Sequence, residues 1–383
     1  MIKIGYIITK LELGGAQKVA LYVAENIDKT DTGVYENFLI TGTGGILDND
    51  AAQTLKIYQL RNLVREISFV KDLKALYHIW LVLRREKPAI VHTHSSKAGI
   101  LGRIAAKLAG VKIVVHTVHG YGFNETQKWY VKRFYIWVEK FCSMLSNKLI
   151  AVAQEDIKKG LKYKIAKESK FTLIRAGIDT EYYKTFTPDA AIRKTFADND
   201  KTKIISTIGP FKPQKNLSDF IKAASIVVKK IDDVKFIVAG DGEQRAMLEK
   251  QIAELKLQNK VILLGWRSDI ADILCASDMF VMTSLWEGLP RTILEAMCCS
   301  KPVIANAVDG VKEIISEGVT GFKVEPYDCE YTAEKIIYLL ENPDVAKKMG
   351  AAAKNSIGKE YDINYMVTQH DELYRKLTGN AHI

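Results

Sequence analysis

Cysteine is scarce in this chain and nowhere paired for a purpose. The five cysteines (142, 275, 298, 299 and 329) form no C-x-x-C unit, which points to a reducing compartment and excludes a disulfide frame or a zinc knuckle. No stretch approaches the ~18–20 apolar residues of a membrane span, so a soluble or peripheral protein is expected. The opening "MIKIGYIITK" has a short apolar run and no small-residue cleavage site; it reads as a first strand, not a signal peptide. No G-x-G-x-x-G follows it, which removes the main support for a nicotinamide dehydrogenase. A P-loop, a G-x-S-x-G elbow and H-E-x-x-H are absent as well, and no nucleic-acid-binding module appears. "DND" occurs at 48–50 and 198–200. Neither copy ends an apolar strand, so both read as polar turns and not as a D-x-D metal grip.

What is present fits a large α/β protein. At 383 residues the chain is too long for one ordinary core, so two domains of near-equal size are expected. Its apolar content of 48% suits a folded core and excludes general disorder. Charge is uneven. Residues 1–185 hold 29 Lys+Arg and 17 Asp+Glu, a net +12, whereas residues 186–383 hold 26 and 28, a net −2. Such a first half suits an anionic partner (nucleic acid, anionic lipid or a phosphorylated acceptor), and a solvated basic surface explains it equally.

Short β-branched runs alternate with helical patterns. Strands are predicted at 2–8, 36–41, 55–60, 89–94, 111–117 and 148–153, then at 203–209, 234–240, 261–265, 279–284, 302–306 and 321–325. Helical patterns such as 16–27, 97–109, 217–231, 243–256 and 290–298 lie between them. Continuous apolar strands with helical crossovers predict two doubly wound parallel sheets. The join is expected within 176–189, and the tail from about Tyr361 reads as helix. Ligands of open parallel sheets bind beyond the carboxyl ends of the strands, so a cleft between the domains is the expected site.

Four stretches carry chemistry. Gly14-Gly15 stands between the first strand and an amphipathic helix, where backbone can approach an anion. His92, His94, His116 and His119 cluster at the ends of two neighbouring strands, with Ser95, Ser96 and Lys97 leading into a helix. Zinc is one reading, but no carboxylate or cysteine completes the set locally; histidines bonded to backbone are the other. Lys212 and Lys215 lie in the loop that opens the second domain, as surface cations or as diphosphate ligands. Finally, Glu287 and Glu295 bracket a helix start at Pro290. Backbone donors at residues 289–292 suit a phosphate, and the carboxylates suit sugar hydroxyls.

At these residues the chain resembles the family 4 type retaining glycosyltransferases. "EGLPRTILE" (287–295) matches their E-x7-E element, and "GGAQ", "VHG", "GPFKPQKN", "AGDGEQR" and "LLGWRSDI" are similar to their other landmarks, in order. "HTHSSKAGILGR" and "FKPQKN" look most like the branch building capsular, exopolysaccharide and other cell-surface glycans.

The resemblance implies a GT-B architecture. Residues 1–182 would be an acceptor-binding Rossmann-like domain and 183–362 a nucleotide-sugar-binding one, with a helix in 363–383 crossing back to the first. Glu287 would grip donor-sugar hydroxyls and Glu295 the ribose. Lys215 and the backbone of Gly288, Leu289, Pro290, Arg291 and Thr292 would hold the diphosphate, with Gly240 also on the donor side. The base would lie near Gly265–Arg267, His119 would touch the sugar near the reacting carbon, and Gly15 would approach the phosphates. Gly14, His94, Ser95 and Lys97 fall on the acceptor side. Pro210 stands where the family usually has an arginine, so Lys212 or Arg291 is left to substitute.

The implied reaction moves a sugar from a nucleotide diphosphate sugar, UDP-linked by the branch resemblance, to a glycan hydroxyl with retained configuration. No metal or other cofactor is expected. The acceptor would be a polyprenyl diphosphate-linked saccharide at the inner face of a bacterial plasma membrane. "KWYVKRFYIWVEKF" (128–141) could dock on anionic lipid there, or be a core helix with its aromatics under the sheet. A nucleotide-sugar epimerase and a non-catalytic assembly subunit are the alternatives.

Overall fold

Apolar strands need cover on both faces, and helices crossing back over parallel strands supply it. The computed structural model describes residues 1–30, 34–124 and 126–379. They divide into one unit of Met1–Gly177 with the segment from Ile363 onward, and another of Ile178–Asp362.

The first unit holds β1 (Ile2–Ile7), β2 (Tyr35–Thr41), β3 (Lys56–Gln59), β4 (Ile90–His94), β5 (Ile113–Val118), β6 (Lys148–Ala151) and β7 (Phe171–Leu173). They pair in the order β3-β2-β1-β4-β5-β6-β7, every pair parallel. The second unit holds β8 (Lys203–Ile208), β9 (Val234–Ala239), β10 (Val261–Gly265), β11 (Met279–Met282), β12 (Val303–Asn306) and β13 (Gly321–Val324). Their order is β10-β9-β8-β11-β12-β13, again parallel throughout. In each sheet the first strand sits inside, and the strand order reverses beside it. This is the doubly wound α/β arrangement expected from the sequence.

Some details differ from expectation. β7 has three residues, too few to show a period, and it escaped the sequence pattern. The first "DND" does not form a turn. It opens the helix Asp48–Thr54, with Asp48 buried and its Oδ2 accepting from the Gly45 N–H at 2.8 Å. The units divide at Gly177 and Ile178, ahead of the expected 182/183 boundary. The short helix Thr180–Thr185 goes with the second unit, because Lys184 Nζ donates to the Ile357 carbonyl at 2.6 Å.

The C-terminal helix Ile363–Thr378 belongs to the first unit; residues 380–383 of that expected segment lie outside the described residues. Tyr35 Oη donates to Asp371 at 2.6 Å, and Tyr22 Oη to Asn364 at 2.8 Å. Tyr374 Oη bonds His92 Nδ1 on β4 at 2.6 Å.

The helix Ser96–Leu108 packs against both Phe69–Glu86 and Trp129–Met144. Small residues let it press on the sheet: a Cβ at Gly102 would stand 2.7 Å from Thr93 Cγ2. Arg103 on this helix is fully buried. Its Nε donates to the Gly99 carbonyl at 2.8 Å, and its Nη2 meets Glu139 Oε2 at 3.2 Å. The helix Trp129–Met144 buries Glu139, Cys142 and Ser143, and of its aromatics Tyr135 packs against the core around Val118 and Phe123. Trp129, Tyr130, Phe134 and Trp137 are exposed, so the alternative of a core helix with its aromatics under the sheet does not hold for these four.

Removing one partner of a buried ion pair strands the other charge. Glu139→Ala should cost about 3–5 kcal/mol in urea unfolding. The double substitution Arg103→Met with Glu139→Leu should restore most of that loss.

Candidate functional site

Where strand order reverses, the loops leaving two adjacent strands turn in opposite directions and open a crevice. In the second unit the reversal lies between β8 and β11. The loop after β8 carries Lys215 and the loop after β11 carries Glu287. Lys215 Nζ meets Glu287 Oε1 at 2.5 Å, with 15% and 9% of the two side chains exposed. Each loop braces the other. The Leu285 N–H donates to the Gln214 carbonyl at 2.8 Å, and Gln214 Nε2 to the Trp286 carbonyl at 2.8 Å. Thr283 Oγ1 donates to the carbonyls of Lys215 and Asn216 at 3.1 and 3.0 Å. Asn306 on β12 holds the carbonyls of Thr283 and Ser284 at 2.8 and 3.1 Å. Asp309 Oδ2 accepts from the Glu287 N–H at 2.9 Å.

Pro290 caps the helix Arg291–Cys298. Ahead of it, Gly288 accepts from the Gly310 N–H at 3.1 Å and Leu289 is buried. The N–H groups of Arg291 and Thr292 find no acceptor among the described residues, so the helix keeps the positive end of its dipole available. Arg291 and Glu295 are one turn apart on this helix, and both act on the phenol of Tyr183. Burial first, then the Glu295 charge, pushes that phenol far up, and Arg291 opposes the rise. Arg291 Nε and Nη1 are buried with no partner, and Glu295 is buried as well.

Glycine backbones crowd the carboxyl ends of the strands beside this crevice. The Gly240 N–H donates to the Gly265 carbonyl at 2.8 Å, and Gly240 has φ +145°. A Cβ there would lie 2.0 Å from the Gly209 carbonyl oxygen. Pro210 follows Gly209, and the chain is then anchored by fully buried Phe211. The Arg245 guanidinium lies 5.3 Å above the Phe211 ring, already paired with Asp241 at 2.8 Å and Glu249 at 3.1 Å. Lys212 caps the turn Pro213–Lys215. Arg267 is clamped on Asp269 by two hydrogen bonds, one of 2.7 Å, so its own loop takes up its fork.

The first unit repeats the arrangement between β1 and β4. Thr9, just after β1, bonds Ser95, just after β4, with their hydroxyls 2.8 Å apart. Ser95 has φ +61° and caps the helix Ser96–Leu108, a strained conformation that the Thr9 contact helps to hold. Gly14 caps the helix Gly15–Asn26 with an extended backbone. A side chain at Gly14 would meet only the Gln17 side chain, so backbone strain does not demand glycine there. Lys97, expected on the acceptor side, is taken up by its own unit: its Nζ donates to Asp72 at 2.6 Å and also to the Glu66 carbonyl.

His94 Nδ1 and His119 Nε2 lie 3.0 Å apart. The bond occupies Nε2 of His119 and leaves Nδ1 as the atom able to meet a ligand. His92 bonds Tyr374 and Thr117, and His116 Nδ1 bonds Thr93 at 2.9 Å. Desolvation pushes His92, His94 and His116 well below the usual imidazole range, and His370 down to about 4. These rings are neutral. Among the described residues no group of three or more His, Cys, Asp or Glu is placed to hold a metal ion.

Asp309, Gln214, Asn306 and Thr9 escaped the sequence reading. Asp309-Gly310, a turn pair just after β12, was the one local signal; the others touch the site only through long-range hydrogen bonds.

Residues 189–356 match the family described as "Glycosyl transferases group 1", and residues 13–182 match "Glycosyltransferase Family 4". An Escherichia coli protein, UDP-Gal:alpha-D-GlcNAc-diphosphoundecaprenol alpha-1,3-galactosyltransferase, is 33% identical over 99% of this chain and 98% of its own length. The Staphylococcus aureus capsular polysaccharide biosynthesis glycosyltransferase CapM is 27% identical over 81% of this chain and 82% of its own. In fold, the chain is similar to Anabaena HepE solved with UDP and glucose, with a TM-score of 0.85 and 21% identity, covering 98% of this chain and 100% of that one.

The neutral histidines tie stability to pH. Each stays unprotonated in the folded unit but protonates near pH ~6.5 once unfolded. Their contribution is complete above that value and is lost as pH falls towards the folded pKa, about 4 for His370. The urea midpoint should therefore drop between about pH 7 and pH 5, where few carboxylates titrate. His370→Gln should flatten part of that slope.

Proposed function

The chain belongs to the family 4 type of GT-B glycosyltransferases, and from that premise we propose the reaction it runs. It moves a sugar from a UDP-sugar to a hydroxyl of a polyprenyl diphosphate-linked saccharide, with the anomeric configuration retained. The observation that carries the proposal is the Lys215–Glu287 contact at the strand reversal of the second unit, beside a helix whose first N–H groups are open. The E. coli relative's named reaction supports a hexosyl donor on UDP and a lipid diphosphate acceptor. The S. aureus relative's name supports a place in surface polysaccharide assembly.

Glu287 accepts from hydroxyls of the donor sugar, and Glu295 from the ribose. Lys215 and the N–H groups of Arg291 and Thr292 stabilise the charge that builds on the departing diphosphate. Arg291, with Nε and Nη1 lacking acceptors, compensates for the arginine that Pro210 replaces. The bond from the anomeric carbon to the diphosphate breaks as the acceptor oxygen bonds that carbon on the same face. The acceptor proton passes to the departing phosphate oxygen, so the products are UDP and the extended saccharide. His119, kept neutral because burial pushes its imidazole well below the usual range, and tied to His94 through Nε2, offers Nδ1 to the sugar. Lysine and backbone donors supply the charge stabilisation, and no metal is required. No described helix is long and apolar enough to cross a membrane; the enzyme works at the cytoplasmic face of the plasma membrane by peripheral contact.

UDP release from a panel of UDP-sugars with a diphospholipid-linked acceptor tests this. Glu287→Gln should lower kcat/KM by ~10²-fold or more, a loss of ~2.7 kcal/mol in transition-state stabilisation. Full activity of that variant would sink the assignment, and an inverted anomeric product by NMR would overturn the same-face step.

A further inference from the structure

Two helices of the first unit present an apolar face that the core does not cover. Phe69–Glu86 buries Ala75, Ile79 and Leu83, yet it shows Val70, Leu73, Tyr77 and Leu81 to solvent, at the i, i+3, i+7, i+11 spacing of one helix face. Trp129–Met144 shows Tyr130, Phe134, Trp137, Phe141 and Met144 at the same kind of spacing. Tyr77 is 55% and Trp137 63% exposed. The helix Ser96–Leu108 packs on both, with Ile100 and Ile104 only half-buried and Leu108 exposed. Trp80 Nε1 donates to the Leu108 carbonyl at 3.4 Å and joins two of the helices. The outer side of this layer is thus an apolar face across three adjacent helices, larger than single exposed residues explain.

Its charge has one sign. The three helices contain only three carboxylates, and each is taken inward. Asp72 holds Lys97, Glu86 holds Lys3 and Lys56, and Glu139 holds Arg103. Lys71, Lys74, Arg84, Lys107 and Arg133 are exposed and have no carboxylate partner among the described residues. Aromatic rings ringed by unpaired cations suit the interface of a bilayer with anionic headgroups. A second copy of the chain fits poorly, because it would bring the same cations face to face.

We propose that this three-helix face is a docking surface for an anionic lipid bilayer, with both apolar ridges inserted and the lysines and arginines against the headgroups. It deepens the peripheral contact proposed above, extending it from the Trp129–Met144 helix to Phe69–Glu86, but it rests on surface geometry and not on the transfer reaction.

Flotation of the full chain with vesicles tests it. The protein should float with phosphatidylglycerol-containing vesicles, much less with phosphatidylcholine alone, and less again as salt rises. Tyr77→Glu and Trp137→Glu should each reduce the floated fraction several-fold, with UDP release to a short-chain soluble acceptor unchanged. Lys74→Glu with Arg133→Glu should abolish the preference for anionic lipid. Flotation of the Tyr77 and Trp137 variants at the wild-type level would overturn the proposal. So would a wild-type chain that ignores vesicles, or one that forms a dimer those variants break. A wild type that floats but transfers no sugar would leave the docking surface standing and count against the reaction instead.

Discussion

The contact between Lys215 and Glu287 depends on one constraint, the reversal of strand order beside β8. A parallel sheet sends each strand's following loop to the same edge. When the chain winds first one way from the inner strand and then the other, two of those loops meet over a gap that no crossover helix fills. Residues far apart in sequence are then held by hydrogen bonds to the backbone of the loops, through Gln214, Thr283, Asn306 and Asp309. Lys215 and Glu287 are fixed by these braces and not by each other alone. The helix start at Pro290 follows directly, so its open N–H groups and the lysine share one place.

The first unit reuses the device with different chemistry. Thr9 and Ser95 occupy the corresponding reversal, and among the described residues a hydroxyl contact, not an ion pair, joins the two loops. Burial instead keeps the imidazoles of β4 and β5 neutral, with both nitrogens of His92 bonded to Tyr374 and Thr117, Nδ1 of His116 to Thr93 and Nδ1 of His94 to His119, while His94 Nε2 is buried without a partner. A neutral His119 can donate or accept a hydrogen bond without repelling or trapping a charged group. The C-terminal helix takes part through Tyr374, which ties the end of the chain to the strand that carries His94.

On the far side of the same unit, the rule that apolar residues go inside is broken in a patterned way. Helices that already bury one face present a second, and the carboxylates that would balance their cations have been drawn inward. Burying Glu139 against Arg103 solves a packing problem within the layer and at the same time leaves the outer surface positive. Structural ion pairing and surface charge are therefore set by the same few residues.

By itself the sequence determined the two parallel-sheet units, nearly all of their strands, and the residues Glu287, Glu295, Lys215 and His119 as a candidate set. Periodicity, turn residues and the spacing across Pro290 are local properties, and local properties survive in a linear text. β7 was lost because three residues show no period, and the first "DND" was misread because its segment is seated by a distant contact, the Leu47 N–H on the Leu11 carbonyl at 3.0 Å. Only the tertiary structure decided that Lys97 is consumed by Asp72 and that Arg267 is held by its own loop. It alone showed Asp309 steadying Glu287 and most aromatics of Trp129–Met144 exposed, with Tyr135 turned to the core. Each of these turns on which groups share a hydrogen bond or a surface across tens of residues, and spacing along the chain carries no record of that.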